Sequence, residues 1–170
     1  MAKKSTWLEK LETIIPGFSG YKKKELARED DRLLRDYVCK VLNDARTKIE
    51  EAAAAIVELD FSLAKRLNNI ASIIRYSADK VKFAEAGYAS HYYRVKVELE
   101  TLEKIKEVDN ELIGSAEKIR ELASEIAKIA PIAQIPSDKL TRLAEELGRI
   151  DDILNRRLNV LRGWSSESES

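Results

Sequence analysis

The stretch that decides the fold is residues 105–129, IKEVDNELIGSAEKIRELASEIAKI. One apolar series recurs every seven residues, and a second lies three residues after it, with Ser115 as the one interruption of this second series. The series are Ile105, Leu112, Ile119, Ile126 and Val108, Leu122, Ile129. Such a repeat places one apolar stripe along an α-helix, as in the seam of a coiled coil. We predict a long helix that packs against other helices.

Three other segments show helical periodicity, with apolar residues at steps of three and four. Their stripes are Leu34, Val38, Val41, Ala45, Ile49, Ala52, Ile56, Leu59; then Leu63, Leu67, Ile70, Ile74, Val81, Ala84; and finally Leu140, Leu143, Leu147, Ile150, Leu154, Leu158, Leu161. The predicted helices are 22–58, 61–86, 95–130 and 137–162. Short connections make consecutive helices antiparallel neighbours. The expected fold is all-α, an antiparallel up-down-up-down four-helix bundle.

Turn residues set the predicted boundaries. Pro16 and Gly17 end a short N-terminal helix over 5–14. Asp60 and Ser62 suit the cap of a new helix, so we place a corner there. One uninterrupted helix from 22 to 85 is the alternative. The first and third helices are predicted to be longer than the second and fourth, leaving apolar surface for residues 5–15 or a partner to cover. A single domain over 1–163 and a disordered tail over 164–170 complete the prediction.

Charge and composition restrict the function classes. The chain has 170 residues with 30 basic and 30 acidic side chains, so no overall attraction to nucleic acid is expected. Residues 60–96 nevertheless carry seven basic side chains against three acidic ones, and 97–170 carry 11 against 16. Cys39 is the single cysteine, which favours a reducing compartment. With no signal-peptide pattern and no apolar run of about 18 residues, we expect a cytoplasmic location and no membrane span. A single glutamine among many charged residues is typical of thermophilic proteins.

Catalytic patterns are weak. A ferritin-like metal site needs Glu-x-x-His on two helices, but the single histidine, His91, has Tyr88 three positions before it. The carboxylate pairs at 145–146 and 151–152 do not give the acidic spacing of an all-α pyrophosphohydrolase. No base accompanies Cys39. We predict no catalytic residue, no metal and no cofactor, and the sequence favours a non-enzyme without deciding the question.

Two stretches resemble an uncharacterised family of small all-helical bacterial and archaeal proteins. The first is IPGFSGY at 15–21, continuing as KKKELAREDDRLLRDYV. The second is IRY at 74–76 with GYA at 87–89, followed by VKVELETLEKIKEVD. Ser77 departs from the alanine that the family pattern predicts. The resemblance implies a shared helical fold and no activity. It also singles out polar residues which, with His91, form the predicted polar cluster: Tyr21, Lys24, Glu25, Arg28, Arg32, Arg75, Tyr88 and His91.

We expect the turns at 16–21 and 87–93 to meet at one end of the bundle, with Arg75 reaching Glu25 or Glu29. Three functions remain open. The favoured one is a non-enzymatic interaction or scaffold protein that binds a protein partner, or itself, through helix faces. A second is a small-ligand-binding or hydrolytic protein using the predicted polar cluster. The third is a weak nucleic-acid binder using Lys22–Lys24, which the acidic residues that follow oppose.

Overall fold

The structure is a computed structural model that describes residues 6–20, 27–84, 99–132 and 134–167. These residues form five helices and no strand. The helices are α1 Thr6–Ile14, α2 Ala27–Ile56, α3 Phe61–Lys82, α4 Leu99–Ile129 and α5 Ser137–Glu167. The predicted all-α class and the four-helix bundle formed by α2 to α5 are confirmed.

The predicted corner near Asp60 is confirmed. The Asp60 side chain accepts a hydrogen bond from the backbone N–H of Leu63 at 2.9 Å and so caps α3. Leu59, which the sequence assigned to the apolar stripe of α2, lies in the turn and is 81% exposed. The stripe therefore ends at Ile56, where the helix ends.

Two predicted helix ends are wrong. α3 ends at Lys82, four residues before the predicted 86. α5 continues past Gly163 to Glu167, and it has the same 31 residues as α4 instead of being shorter. One glycine lowers helix stability by about 1 kcal/mol but leaves the backbone hydrogen-bond ladder intact. Residues 164–167 of the predicted disordered tail are therefore helical, and 168–170 lie outside the described residues.

The order of the helices around the bundle differs from a simple up-down-up-down ring. The packed pairs are α2–α3, α2–α4, α4–α5 and α3–α5. Directions alternate along the chain, as predicted, but α2 and α4 are parallel neighbours, and Tyr37 donates a hydrogen bond to Glu117 between them at 3.1 Å. Consecutive α3 and α4 lie diagonally opposite. The 16 positions between Lys82 and Leu99 exceed the usual connection in a bundle, so they do not force these two helices to be neighbours.

The predicted heptad forms the middle of the core. Ile105, Leu112, Ile119 and Ile126 are all 0% exposed. Leu112, Ile119 and Ile126 pack in one apolar cluster with the stripes of the other helices. Tight packing of this kind makes each buried side chain important for stability.

The N-terminal segment covers one end of the core, as predicted. Leu11, Ile15 and Phe18 are buried in the same apolar cluster. The backbone N–H of Ser19 donates to the buried carboxylate of Asp30 at 2.7 Å, which ties this segment to the start of α2. Gly17, with φ of 83°, supplies the left-handed turn conformation that the path requires.

The heptad core predicts a clear contrast between two aliphatic truncations. Ile119→Ala should lower the free energy of unfolding by about 2–5 kcal/mol, because it empties a fully buried position. Leu59→Ala should change it by less than about 0.5 kcal/mol, because Leu59 is exposed. Urea unfolding followed by circular dichroism measures both. Similar losses in the two variants would contradict the assignment of the core.

Candidate functional site

Most of the predicted polar cluster lies outside the described residues. Tyr21, Lys24, Glu25, Tyr88 and His91 belong to this group, as does the Lys22–Lys24 run. Arg28 falls within α2, but its side chain is not described. The predicted cluster therefore remains a sequence prediction.

The two members with described side chains are exposed and do not meet. Arg32 pairs with Glu29 and Asp36 on its own helix, and its Nη1 lies 3.1 Å from Asp36 Oδ2. The hydrogen bond from Arg32 holds the pKa of Glu29 below its usual value. Arg75 is exposed on α3. The partner of Glu29 is thus Arg32, whereas the predicted pairing placed Arg75 there.

A buried ionic network, which the sequence did not reveal, occupies one end of the bundle. Arg157 of α5 is 2% exposed, Asp31 of α2 is 1% exposed and Asp109 of α4 is 0% exposed. The guanidinium of Arg157 donates from Nε to Asp109 Oδ1 at 3.0 Å and from Nη2 to Asp31 Oδ1. One side chain thereby joins three helices, including α2 and α5, which are not a packed pair among the described residues.

Arg35 extends the network to the fourth helix. Its Nε donates to Asp31 Oδ2 at 3.1 Å, and its Nη1 donates to the backbone carbonyls of Lys82 at 2.9 Å and Ala84 at 3.3 Å. The carbonyl of Lys82 ends α3 and that of Ala84 lies just beyond it, so Arg35 positions the C-terminal end of that helix. We call the end of the bundle that holds Asp31, Arg35, Asp109 and Arg157 the charged end.

Heptad spacing contains the signal that identifies Arg157 as a core residue. Leu143, Ile150 and Arg157 lie seven residues apart, so the register of α5 places the arginine on its buried face. Asp31 likewise lies three residues before Leu34 in the stripe of α2. Charged side chains are usually solvated, so neither residue was included in the predicted apolar stripes.

Cys39 is a structural thiol. It is half-buried, and its thiol donates to the backbone carbonyl of Ala78 at 3.2 Å between α2 and α3. Burial, and then the charge of Asp36, raise the pKa of the Cys39 thiol above its usual value. A raised pKa lowers the fraction of reactive thiolate.

The solvent side of α3 carries exposed apolar side chains. Steps of three and four place six residues along one face of the helix, which we call the α3 stripe: Arg66, Asn69, Ile73, Tyr76, Lys80 and Phe83. Ile73 is 50% exposed, Tyr76 62% and Phe83 77%. The ammonium group of Lys80 lies 4.6 Å from the centre of the Tyr76 ring, a cation–π contact.

A cavity of about 260 Å³ lies beside the stripe, between α3 and α5. Lys80 forms a bridge at its edge, with its Nζ 3.0 Å from Asp151 Oδ1. Half-buried leucines supply apolar lining, and Arg157 borders the cavity from the charged end. The lining residues are Lys80, Ala84, Asp151, Leu154, Asn155, Arg157 and Leu158.

A second cavity, of about 280 Å³, lies between α4 and α5 and is mainly acidic. Its lining is Lys118, Glu121, Leu122, Glu125, Arg142, Glu145 and Glu146. The hydroxyl of Ser115, which interrupts the heptad, donates to Glu146 Oε2 at 2.8 Å near this cavity. The two cavities thus differ in charge, and the first adjoins the exposed apolar side chains of the α3 stripe.

Within the described parts of the chain, no group of three His, Cys, Asp or Glu side chains converges in a way that could hold a metal ion. No described helix is long and apolar enough to cross a membrane. Comparisons with protein-family models, with curated proteins and with solved structures find no match. The candidate site therefore rests on geometry, and among the described residues the candidate surface is the α3 stripe with the neighbouring cavity.

The buried network predicts that two adjacent arginines, Arg156 and Arg157, contribute very differently to the free energy of unfolding. Arg157→Met should lower the free energy of unfolding by about 3–5 kcal/mol, because Asp31 and Asp109 lose the buried cation that they share. Arg156→Met, the matched control, removes only an exposed pair with Glu111 and should cost about 1 kcal/mol or less. Chemical denaturation measures both variants. A loss for Arg157→Met as small as that of the control would show that the network does not stabilise the bundle.

Proposed function

We propose that this chain is a non-enzymatic interaction protein that binds a partner protein through the α3 stripe. The supporting observation is the exposure of Ile73, Tyr76 and Phe83 on one face of α3, beside a cavity. Isolated apolar side chains on a surface are ordinary, but several on one face of a helix next to a groove suit helix-in-groove recognition.

The stripe is also held in place for binding. Arg35 of α2 donates a hydrogen bond to the backbone at the C-terminal end of α3. Cys39, also on α2, donates one to the backbone carbonyl of Ala78 on α3. A surface that is rigid before binding loses less conformational entropy on binding, which favours affinity. The lone cysteine and the mixed surface charge are consistent with the cytoplasmic location predicted from the sequence.

The other two hypotheses depend on residues outside the described part of the chain. Ligand binding at the predicted polar cluster requires Tyr21, Glu25 and Tyr88, and nucleic-acid binding requires Lys22–Lys24. Neither hypothesis is supported by a described contact. The α3 stripe is therefore the basis of the proposal.

Site-specific photocrosslinking tests the proposal in native-cell extract. We expect p-benzoylphenylalanine in place of Tyr76 to form a discrete covalent adduct with another protein, because Tyr76 lies in the middle of the stripe. The same probe in place of Val57, an exposed residue at the opposite end of the bundle, is the control and should not form that adduct.

A second change makes this test specific. Adding Ile73→Ser, three residues before Tyr76 on the stripe, should remove the adduct at position 76. An absence of adduct at position 76, or identical adducts at positions 76 and 57, would contradict the proposal.

A further inference from the structure

The charge of α3 indicates the chemistry of the partner. Five basic residues and one acidic residue give this helix a net charge of +4. Lys65, Arg66, Arg75 and Lys82 are exposed, and Lys80 is half-buried at the edge of the cavity. A helix that combines exposed cations with an apolar stripe complements a surface that combines carboxylates with apolar side chains.

We propose that the α3 stripe and the α3–α5 cavity together bind an acidic amphipathic helix of another protein. This inference rests on the proposed function and identifies the class of its partner. Carboxylates of the incoming helix pair with Lys65 and Arg66, while its apolar side chains cover Ile73 and Tyr76. One large apolar side chain enters the cavity between Leu154 and Leu158.

The cavity has room for such an anchor. Its volume of about 260 Å³ exceeds the roughly 150 Å³ of an apolar cavity that accepts benzene. Buried apolar or aromatic anchors that fill a pocket contribute a large share of the binding energy in protein interfaces. Ala84, Leu154 and Leu158 provide the apolar lining for this anchor.

A second copy of the chain is a poorer occupant. An interface that joins two α3 helices symmetrically would bring two charges of +4 together, which opposes association. The acidic cavity between α4 and α5 offers the opposite charge, but Leu122 is the only large apolar residue that lines it. That cavity therefore cannot supply the apolar counterpart that Ile73 and Tyr76 require.

A membrane surface also fits less well. Anionic lipid would attract the cations of α3. However, a lipid surface offers no shaped side chain to fill a cavity between two helices, whereas an amphipathic helix presents side chains at the spacing of a groove. The cavity thus favours a protein helix.

A labelled synthetic peptide tests the inference directly. The probe is a helical peptide of about 20 residues, a length at which isolated helices become stable, with Leu and one Trp on one face and Glu on the other. Fluorescence anisotropy should show binding to the full chain that weakens as salt is added. A matched peptide with Lys in place of Glu should not bind.

Paired variants separate charge from shape. Lys65→Glu with Arg66→Glu should weaken peptide binding by about tenfold or more, whereas Lys40→Glu with Lys128→Glu, an equal charge change at exposed sites on other helices, should not. Asn155→Trp should block the cavity and weaken binding about tenfold. Asn159→Trp, one turn further along α5 and outside the cavity lining, should leave binding unchanged. Thermal unfolding of each variant verifies that it folds.

Several outcomes would overturn the inference. These are failure of the Glu peptide to bind, equal weakening by the control variants, or binding to vesicles of phosphatidylserine and phosphatidylcholine in place of the peptide. Light scattering that shows a dimer abolished by Lys65→Glu with Arg66→Glu would assign the surface to a second copy. If the Glu peptide fails while the adduct at position 76 persists, the proposed function stands and only the partner class is wrong.

Discussion

We infer that the mutual arrangement of the four long helices depends on the ion pairs that Arg157 makes inside the bundle. Its guanidinium contacts Asp31 and Asp109, so α5 is joined to α2 and α4 at one level. Arg35 then connects Asp31 to the last turn of α3. At the charged end, all four long helices are thus joined by one connected set of side-chain contacts, which runs from Arg157 through Asp31 to Arg35.

This ionic network and the apolar core contribute differently to the stability of the bundle and to the arrangement of its helices. Burial of apolar surface supplies most of the stability of a bundle, but it is non-directional and allows several arrangements of similar helices. Ion pairs in the interior are expensive to desolvate and tolerate few geometries. We infer that the apolar stripes stabilise the bundle, while Arg157 and its partners select which helices face each other and in what register. The same contacts fix the wall of the α3–α5 cavity, because Arg157 borders it.

The helices were predictable because periodicity is a local property of the sequence. The series from Ile105 to Ile126 and the cap at Asp60 each depend on residues close together in the chain. The order around the bundle was not predictable, since a stripe shows which face of a helix is buried but not which helix covers it. Arg157 was missed for another reason: its position is that of a core residue, but its charge is that of a surface residue. The heptad register predicts the burial of Arg157 correctly and its charge does not, because two carboxylates on other helices compensate that charge.

The candidate site, like the fold, was predictable from the sequence only in part. The basic balance of residues 60–96 was visible in the sequence, and the structure places five of the seven basic residues on α3. The exposure of Ile73 and Tyr76 depends on α3 facing α2 and only part of α5, which no local pattern contains. The candidate surface thus depends on the tertiary arrangement of the helices, which we infer the charged end selects.

Native-state amide hydrogen exchange of the Arg157→Met variant tests this account most directly. The account predicts faster exchange of the helical amides near Asp31 in α2 and near Asp109 in α4, and in residues 150–161 of α5, while the helical amides of 45–56 and 65–70 at the opposite end keep their protection. Arg156→Met should leave the exchange pattern unchanged. Uniform acceleration along all four helices, or no acceleration at the charged end, would contradict the account.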